Sequence, residues 1–351
     1  MRAHIVPETY LASWRNNKGS NSVYVFDSKD YSFESKNLNV LNNTCFQQKD
    51  EYILKLEDCT GIVYQNLFDE VYLTISKKYN IKYKNIKINS GTKLRNSCRY
   101  LDNKYDWEIS NISDGQRYKF TKFKDELKKE WSNKYDDTIE KFFCDHYENN
   151  WVAFTNFLYI QTKKTNGLLD LDNYEEYFIE FVSLLLNRQY SNFEEYKKMI
   201  ISLVNKYNVL DKFMESDVRK IWLSQFFKFK KFKEQSLNTC KSNLISLIVN
   251  HLKSKQISLN FLVSRNINFF TSDNPIFRVE YRDNMEIYFP ITKDICLVII
   301  PRKRKYENLY EYYEINSEKV KEINDKIIEN SKRNFICTSD NFKDNCNKLI
   351  N

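Results

Sequence analysis

Apolar and polar positions change their rhythm along this chain, and each change predicts an element. Over the first sixty residues the runs are short and turn-rich. SVYVFD (22–27) has the β-branched and aromatic content of a strand after the turn signal NNKGSN, and DEYILKL (50–56) is a second strand candidate. From Ile62 the period lengthens, with Ile62, Leu67, Val71 and Ile75 near helical spacing. Residues 79–115 are polar, Asn-rich and weakly patterned, which predicts a long loop or insertion. From about 117 to 255 the pattern is helical almost throughout, and no proline falls between Pro7 and Pro275. DTIEKFFCDHYENNWVAFTNFLYIQ, NYEEYFIEFVSLLLNRQY, FEEYKKMIISLVNKY and NLISLIVNHLKS each repeat apolar residues at intervals of three and four, with Asn or Asp near several starts as caps. After Lys255 the period shortens again to strands: ISLNFLV, NFFTS, IFRVEY, MEIYFP and DICLVII, then one helix, SEKVKEINDKIIEN, and a last strand, NFICT.

This succession reads as α+β: a helical bundle packed against an antiparallel sheet built from N-terminal and C-terminal strands. Its parts are an N-terminal β segment (1–60), a mainly helical region (61–255) holding the polar insertion, and a C-terminal β region with one helix (256–351). The two β regions share a sheet as one domain, so the backbone near Tyr24 is expected beside the strands between Leu262 and Val298.

One phrase is spelled twice. Thr-Ser-Asp-Asn occurs in NINFFTSDNPIF (266–277) and again in KRNFICTSDNF (332–342), each time after an aromatic-rich apolar run. Ser, Asp and Asn are turn formers whose side chains bond nearby backbone amides, so both copies end strands. In the second, Phe342 stands where the first has proline and a charged tail follows, which makes Asp340 a peripheral turn residue. In the first, Pro275 fixes the backbone after Asn274, and a turn carrying Thr271, Ser272, Asp273 and Asn274 on a strand platform is a candidate site.

The N-terminal HIVPETYLASW, followed by VYVFD, together with FFTSDNPI and a FPIT strand, resembles the family called domain of unknown function 4238. That family begins with a His-x-Val-Pro-x-x-Tyr-Leu phrase and carries Phe-x-Thr-Ser-Asp-Asn-Pro near its end, and IEKFFCDHYENNW and LLLNRQ resemble its Glu-containing and Arg-containing helices. The resemblance covers nearly the whole chain. It implies a location more than a chemistry: His4 and Pro7 from one end, Thr271 to Asn274 from the other. Glu8 stands where the commoner pattern has Gln, and the polar insertion is a further departure.

Composition narrows the classes. With 351 residues, 42% hydrophobic and including 25 Tyr and 25 Phe, the chain has material for a large core. The formal charge of +8 favours a polyanion if the surplus gathers on one face; a scattered, solvated surface is the plain alternative. The 8 Cys include no CxxC pair and there are only 3 His, so zinc-finger spacing is absent and the thiols read as reduced. With no signal-like start and no run of about 18 apolar residues, the expectation is a cytoplasmic chain without a membrane span. The 5 isolated glycines make no phosphate loop, and neither GxSxG nor HExxH occurs.

Among residues able to do chemistry, His4 can act as a general base or bond a carbonyl. Asp273 can hold a cation or cap a turn. Glu140 and Glu148, two helical turns apart, can join Asp273 as ligands of magnesium or manganese, or lie on a solvated face. Arg188, in the apolar run FVSLLLNRQY, must reach solvent, a carboxylate or a phosphate. FFKFKKFK (226–233) interleaves aromatics with Lys228, Lys230 and Lys231, which suits a single nucleic-acid strand or, in a helix, a core stripe beside a solvated face. Two functional readings follow. One is a metal-dependent phosphodiesterase or nuclease in which His4, Asp273 and Arg188 border one pocket. The other is a non-catalytic protein binding a nucleic acid, a small anionic ligand or a protein partner.

Overall fold

The computed structural model describes residues 3–4, 8–15, 20–38, 47–48, 54–135, 138–164, 167–188, 198, 215–235, 243–254, 256–281, 284–306 and 309–347. By packing, the chain divides into two units. One comprises Asp50–Phe142 and Lys197–Asn243, the other Arg2–Lys49, Phe143–Tyr196 and Leu244–Asn351. The helical middle is therefore shared between two bodies, whereas periodicity alone draws boundaries near 60 and 255.

In the second unit the two ends of the chain share a sheet. The strand Ser22–Asp27 pairs antiparallel with Phe33–Asn37 on one side and with Asn334–Cys337 on the other. Beyond Asn334–Cys337 lies Thr271–Ser272, so Tyr24, aligned with Cys337, is two strands from the first Thr-Ser-Asp-Asn phrase. Alternation in SVYVFD buries Val23 and Val25, and Phe26 stacks on Phe335 at 5.2 Å. A second sheet of six strands has the order Phe277–Tyr281, Asn284–Thr292, Ile295–Ile300, Ser258–Val263, Tyr310–Glu314, Leu168–Leu169. All its pairs are antiparallel except Tyr310–Glu314 against Ser258–Val263. Every residue of Ser258–Val263 is buried, as expected for a central strand covered on both faces. The strand Tyr310–Glu314 is absent from the sequence reading because its run of tyrosines and glutamates has no aliphatic alternation.

The first unit corrects the reading of residues 79–115. They form strands Tyr79–Tyr83, Ile86–Lys87 and Trp107–Asn111 in one antiparallel sheet, with the helix Gly91–Cys98 between the second and third. The alternation lies within five residues: Tyr79 and Ile81 are buried while Asn80 and Lys82 point outward. The hairpin turns on Lys84 and Asn85, both at positive φ (48° and 61°), as a two-residue mirror-image turn requires. The helix Gln65–Ile75 buries Leu67, Phe68, Val71 and Ile75, whereas Ile62 lies outside it and is exposed. Gly91 sits against Asp69 so closely that a Cβ there would fall 2.5 Å from the Asp69 backbone nitrogen, hence the glycine.

Other expectations meet the structure unevenly. The N-terminal phrase is helical, Glu8–Leu11 followed by a tight turn Ala12–Trp14. Residues 54–56 are not a strand, and the rest of that candidate, like most of FEEYKKMIISLVNKY, lies outside the described residues. No described helix is long and apolar enough to cross a membrane. The hairpin yields a direct check. Asn85→Val, which forces a β-branched residue to positive φ, is expected to lower unfolding free energy by about 1–2 kcal/mol, whereas Asn85→Gly is expected to hold or raise it, both read from urea denaturation.

Candidate functional site

The short helix at residues 8–14 is held by its two largest side chains. Tyr10 is fully buried, and a buried phenol must pair its hydroxyl. Its oxygen lies 2.7 Å from Thr271 Oγ1 and donates to the Pro290 carbonyl at 2.6 Å. Trp14 Nε1 donates to the Phe269 carbonyl at 2.7 Å. Tyr10 also stacks on Phe289 at 5.4 Å and lies 5.9 Å from Trp151. The N-terminal phrase is thus bonded to the first Thr-Ser-Asp-Asn phrase and to the FPIT strand, across more than 250 residues of sequence.

The Thr-Ser-Asp-Asn segment spends its polar groups internally. Thr271 and Ser272 are fully buried; the Ser272 hydroxyl accepts from the Asn274 amide at 3.1 Å, and Asn274 Nδ2 donates to the Asn330 carbonyl. Asp273 accepts from the backbone amides of Lys332 and Arg333, each at 2.8 Å, and of Asn334 at 3.4 Å. Burial pushes its carboxyl above the usual range, outweighing the opposite pull of those amides. Asp273 therefore ties the first phrase to the chain entering the second. The second phrase repeats only the local turn: the Asn341 amide donates to Ser339 Oγ at 3.1 Å, and Asp340 is exposed. The doubling reflects neighbouring antiparallel strands with like endings, Thr271 aligned with Ile336 and Ser272 with Phe335.

On its outer side the 8–14 helix borders a cleft of about 510 Å³. Glu8, Thr9, Ser13 and Arg15 form one wall; Cys144, Glu148 and Asn149 belong to the other. The second wall begins with a π-helical turn, Cys144–Glu148, which continues into the helix Asn149–Gln161. Such widened turns re-aim side chains and are frequent at functional sites. Glu148 is only 7% exposed although it lines the cleft, and Cys144 Sγ lies 3.4 Å from its Oε2. Behind it, Tyr147 donates to buried Glu180 at 3.0 Å and Tyr177 donates to the Tyr147 carbonyl at 2.5 Å. Burial, then Glu180, raises the Tyr147 phenol, so it remains a donor. Regular spacing hides the widened turn, because Phe143, Tyr147, Trp151, Phe154 and Leu158 follow at ordinary helical intervals.

The proposed site residues lie on different elements. His4 has its backbone in a two-residue strand, Ala3–His4, paired with Gln47–Gln48, and Arg188 ends the helix Glu175–Arg188; the side chains of both lie outside the described residues. Glu140, buried in the helix Thr138–Phe143, falls in the first unit, while Glu148 belongs to the second. No group of three or more metal-binding side chains occurs among the described residues. Lys228, Lys230 and Lys231 lie on the helix Glu215–Gln235, with Phe226, Phe227 and Phe229 buried. Lys230 pairs with Glu234 at 2.5 Å, and Lys231 donates to the Val63 carbonyl at 3.0 Å, its ammonium pKa lowered by burial and then by Lys230. These aromatic rings are core, not a platform for bases. Residues bearing on the site that the sequence reading missed include Glu8, noted only as a departure from the family pattern, Arg15 on the same cleft wall and, beneath the Thr-Ser-Asp-Asn phrase, Asn324. Asn324 accepts from the Phe270 amide and donates to the Asn268 and Asn345 carbonyls from the buried face of the helix Ser317–Asn330. A lone Asn among Val320, Ile323 and Ile327 was the available signal.

A family model described as a protein of unknown function, DUF4238, matches residues 2–341. The chain belongs to that family. No curated protein and no solved structure matches it. The family match thus extends over both phrases that the Tyr10 and Trp14 bonds join.

Two substitutions separate the roles of the repeated aspartates. Asp273→Asn turns one of the two oxygens that accept backbone amides into a donor and is expected to cost about 1–3 kcal/mol in urea unfolding. Asp340→Asn is expected to stay within about 0.5 kcal/mol of the parent chain.

Proposed function

We propose that the chain acts through the cleft between Glu8–Trp14 and Cys144–Gln161, as a binding protein for a small polar ligand carrying an anionic group beside hydroxyl or amino donors. The observation that carries this reading is the lining: one guanidinium, Arg15, faces the same space as two carboxylates, Glu8 and Glu148. Arg15 suits a phosphate or carboxylate, and the glutamates accept from hydroxyl or amino groups. The volume, about 510 Å³, lies within the range of small-molecule sites and suits a ligand of mononucleotide size. Buried Tyr147 and half-buried Tyr177, bonded behind Glu148, hold its turn in place, which gives the site a rigid back.

The same lining supports a hydrolytic reading. Magnesium keeps several waters and is bound through one or two carboxylates together with substrate phosphates. Glu8 and Glu148 would hold magnesium or manganese and Arg15 the phosphate, which would make the chain a metal-dependent phosphodiesterase or nuclease. The metal would supply charge neutralisation and an activated water.

The test is calorimetric titration of mononucleotides and sugar phosphates, with and without manganese, into the parent chain, Arg15→Ala and Glu148→Gln. Binding by at least one ligand, weakened about tenfold or more in both variants, is expected, in keeping with roughly 1.5–3 kcal/mol for a charged hydrogen bond. A ligand that binds all three proteins equally sinks the assignment. Manganese-dependent cleavage of a labelled oligonucleotide, lost in Glu148→Gln, would select the hydrolytic reading; manganese without effect on binding or cleavage would remove it.

A further inference from the structure

The chain's charge surplus is concentrated in one stretch. Residues 77–124 hold 13 Lys and Arg against 4 Asp and Glu, a balance of +9, whereas the whole chain carries +8. This stretch contains the three-stranded sheet of the first unit. Pairing aligns Asn80 with Ser110 and Lys82 with both Glu108 and Lys87; Ser110 in turn bridges to Arg117. The outward face therefore carries two cross-strand rows, Lys87–Lys82–Glu108 and Asn80–Ser110–Arg117. The opposite face is anchored by buried Tyr79, Ile81, Trp107 and Ile109. A depression of about 320 Å³ on the outward face is lined by Asn80, Lys82, Glu108, Ser110 and Arg117. Glu108 is the only carboxylate in these rows and pairs with Lys82 at 3.4 Å, while Lys87 and Arg117 form no ion pair among the described residues.

At the hairpin end the cations meet exposed aromatic rings. Tyr83 and Tyr100 stack at 5.8 Å with their planes 8° apart, and Lys84 Nζ lies 5.6 Å and 6.0 Å from the two centroids. The Lys84 amide bonds the Asp106 carbonyl at 2.8 Å, which brings the neighbouring Tyr105 to this end. Tyr105 is 85% exposed, with Lys104 Nζ 5.0 Å from its ring.

We propose that this face of the three-stranded sheet, with its tyrosine-bearing hairpin end, binds single-stranded nucleic acid. Lys82, Lys87 and Arg117 take the phosphates, and the exposed rings of Tyr100 and Tyr105 stack unpaired bases. A lipid surface or an acidic peptide uses the charge alone, whereas open tyrosines beside lysines favour a strand with free base faces. The site shares no residue with the cleft at Glu148, and its success or failure leaves that assignment untouched.

Fluorescence anisotropy of labelled oligo(dT) and oligo(U) with the full-length chain tests the proposal at several salt concentrations. Lys87→Glu with Arg117→Glu is expected to weaken binding more than tenfold. It should also reduce the slope of log affinity against log salt by about 1.4, at about 0.7 for each single-strand phosphate that is no longer neutralised. Tyr100→Ala should weaken binding about fivefold or more, the loss of one stacked base. Lys319→Glu with Lys326→Glu, an equal charge change on an exposed helix of the second unit, should have little effect. No binding at low salt overturns the proposal. So does an equal loss in the Lys319/Lys326 control, or binding to anionic vesicles as tight as to the oligonucleotides with Tyr100→Ala silent in both.

Discussion

A phenol hydroxyl or an indole nitrogen buried in an aromatic core costs free energy unless it finds a partner, and for Tyr10 and Trp14 the partners lie at the other end of the chain. Tyr10 reaches Thr271 and Pro290; Trp14 reaches Phe269. Aromatic contact alone tolerates sliding, but these hydrogen bonds fix the helix at one height and rotation over the strands. That placement turns Glu8, Thr9, Ser13 and Arg15 outward to the cleft. Asp273 and Asn324 extend the same constraint, binding the phrase that receives Tyr10 to the last helix and last strand.

The two family phrases consequently have unequal roles. The Thr-Ser-Asp-Asn segment is a fastening: its hydroxyls are buried and its aspartate is committed to backbone amides. The N-terminal phrase is both fastening and surface, because the helical segment Glu8–Trp14 presents Tyr10 and Trp14 to the core while Glu8 and the following Arg15 line the cleft. Polar atoms that make a short motif conspicuous in sequence need not be the atoms that meet a ligand.

Much of the architecture was legible from residue patterns. Alternation in SVYVFD and the run ISLNFLV marked strands that exist, and the two ends of the chain do share a sheet. Three features were not legible, each for a physical reason. The sheet within residues 79–115 is built from strands of five residues or fewer, too short for alternation to stand out among Asn and Lys. The widened turn at Cys144–Glu148 leaves apolar spacing intact, so a regular helix was the natural reading. The division into two units depends on which helices pack together, and amphipathic periodicity carries no record of partners. The candidate site suffered similarly: Glu148 was visible, but Glu8 and Arg15 became relevant only once the first residues were seen to be helical.

The claim that the two distant phrases form one joint rests on energetic coupling, which a double-mutant cycle measures directly. Tyr10→Phe, Thr271→Val and the double variant, compared with the parent chain by urea unfolding, isolate the term shared by the two hydroxyls. The account predicts a coupling of about 0.5–1.5 kcal/mol, the contribution of a hydrogen bond between them. Additive losses, with coupling below about 0.3 kcal/mol, would contradict it.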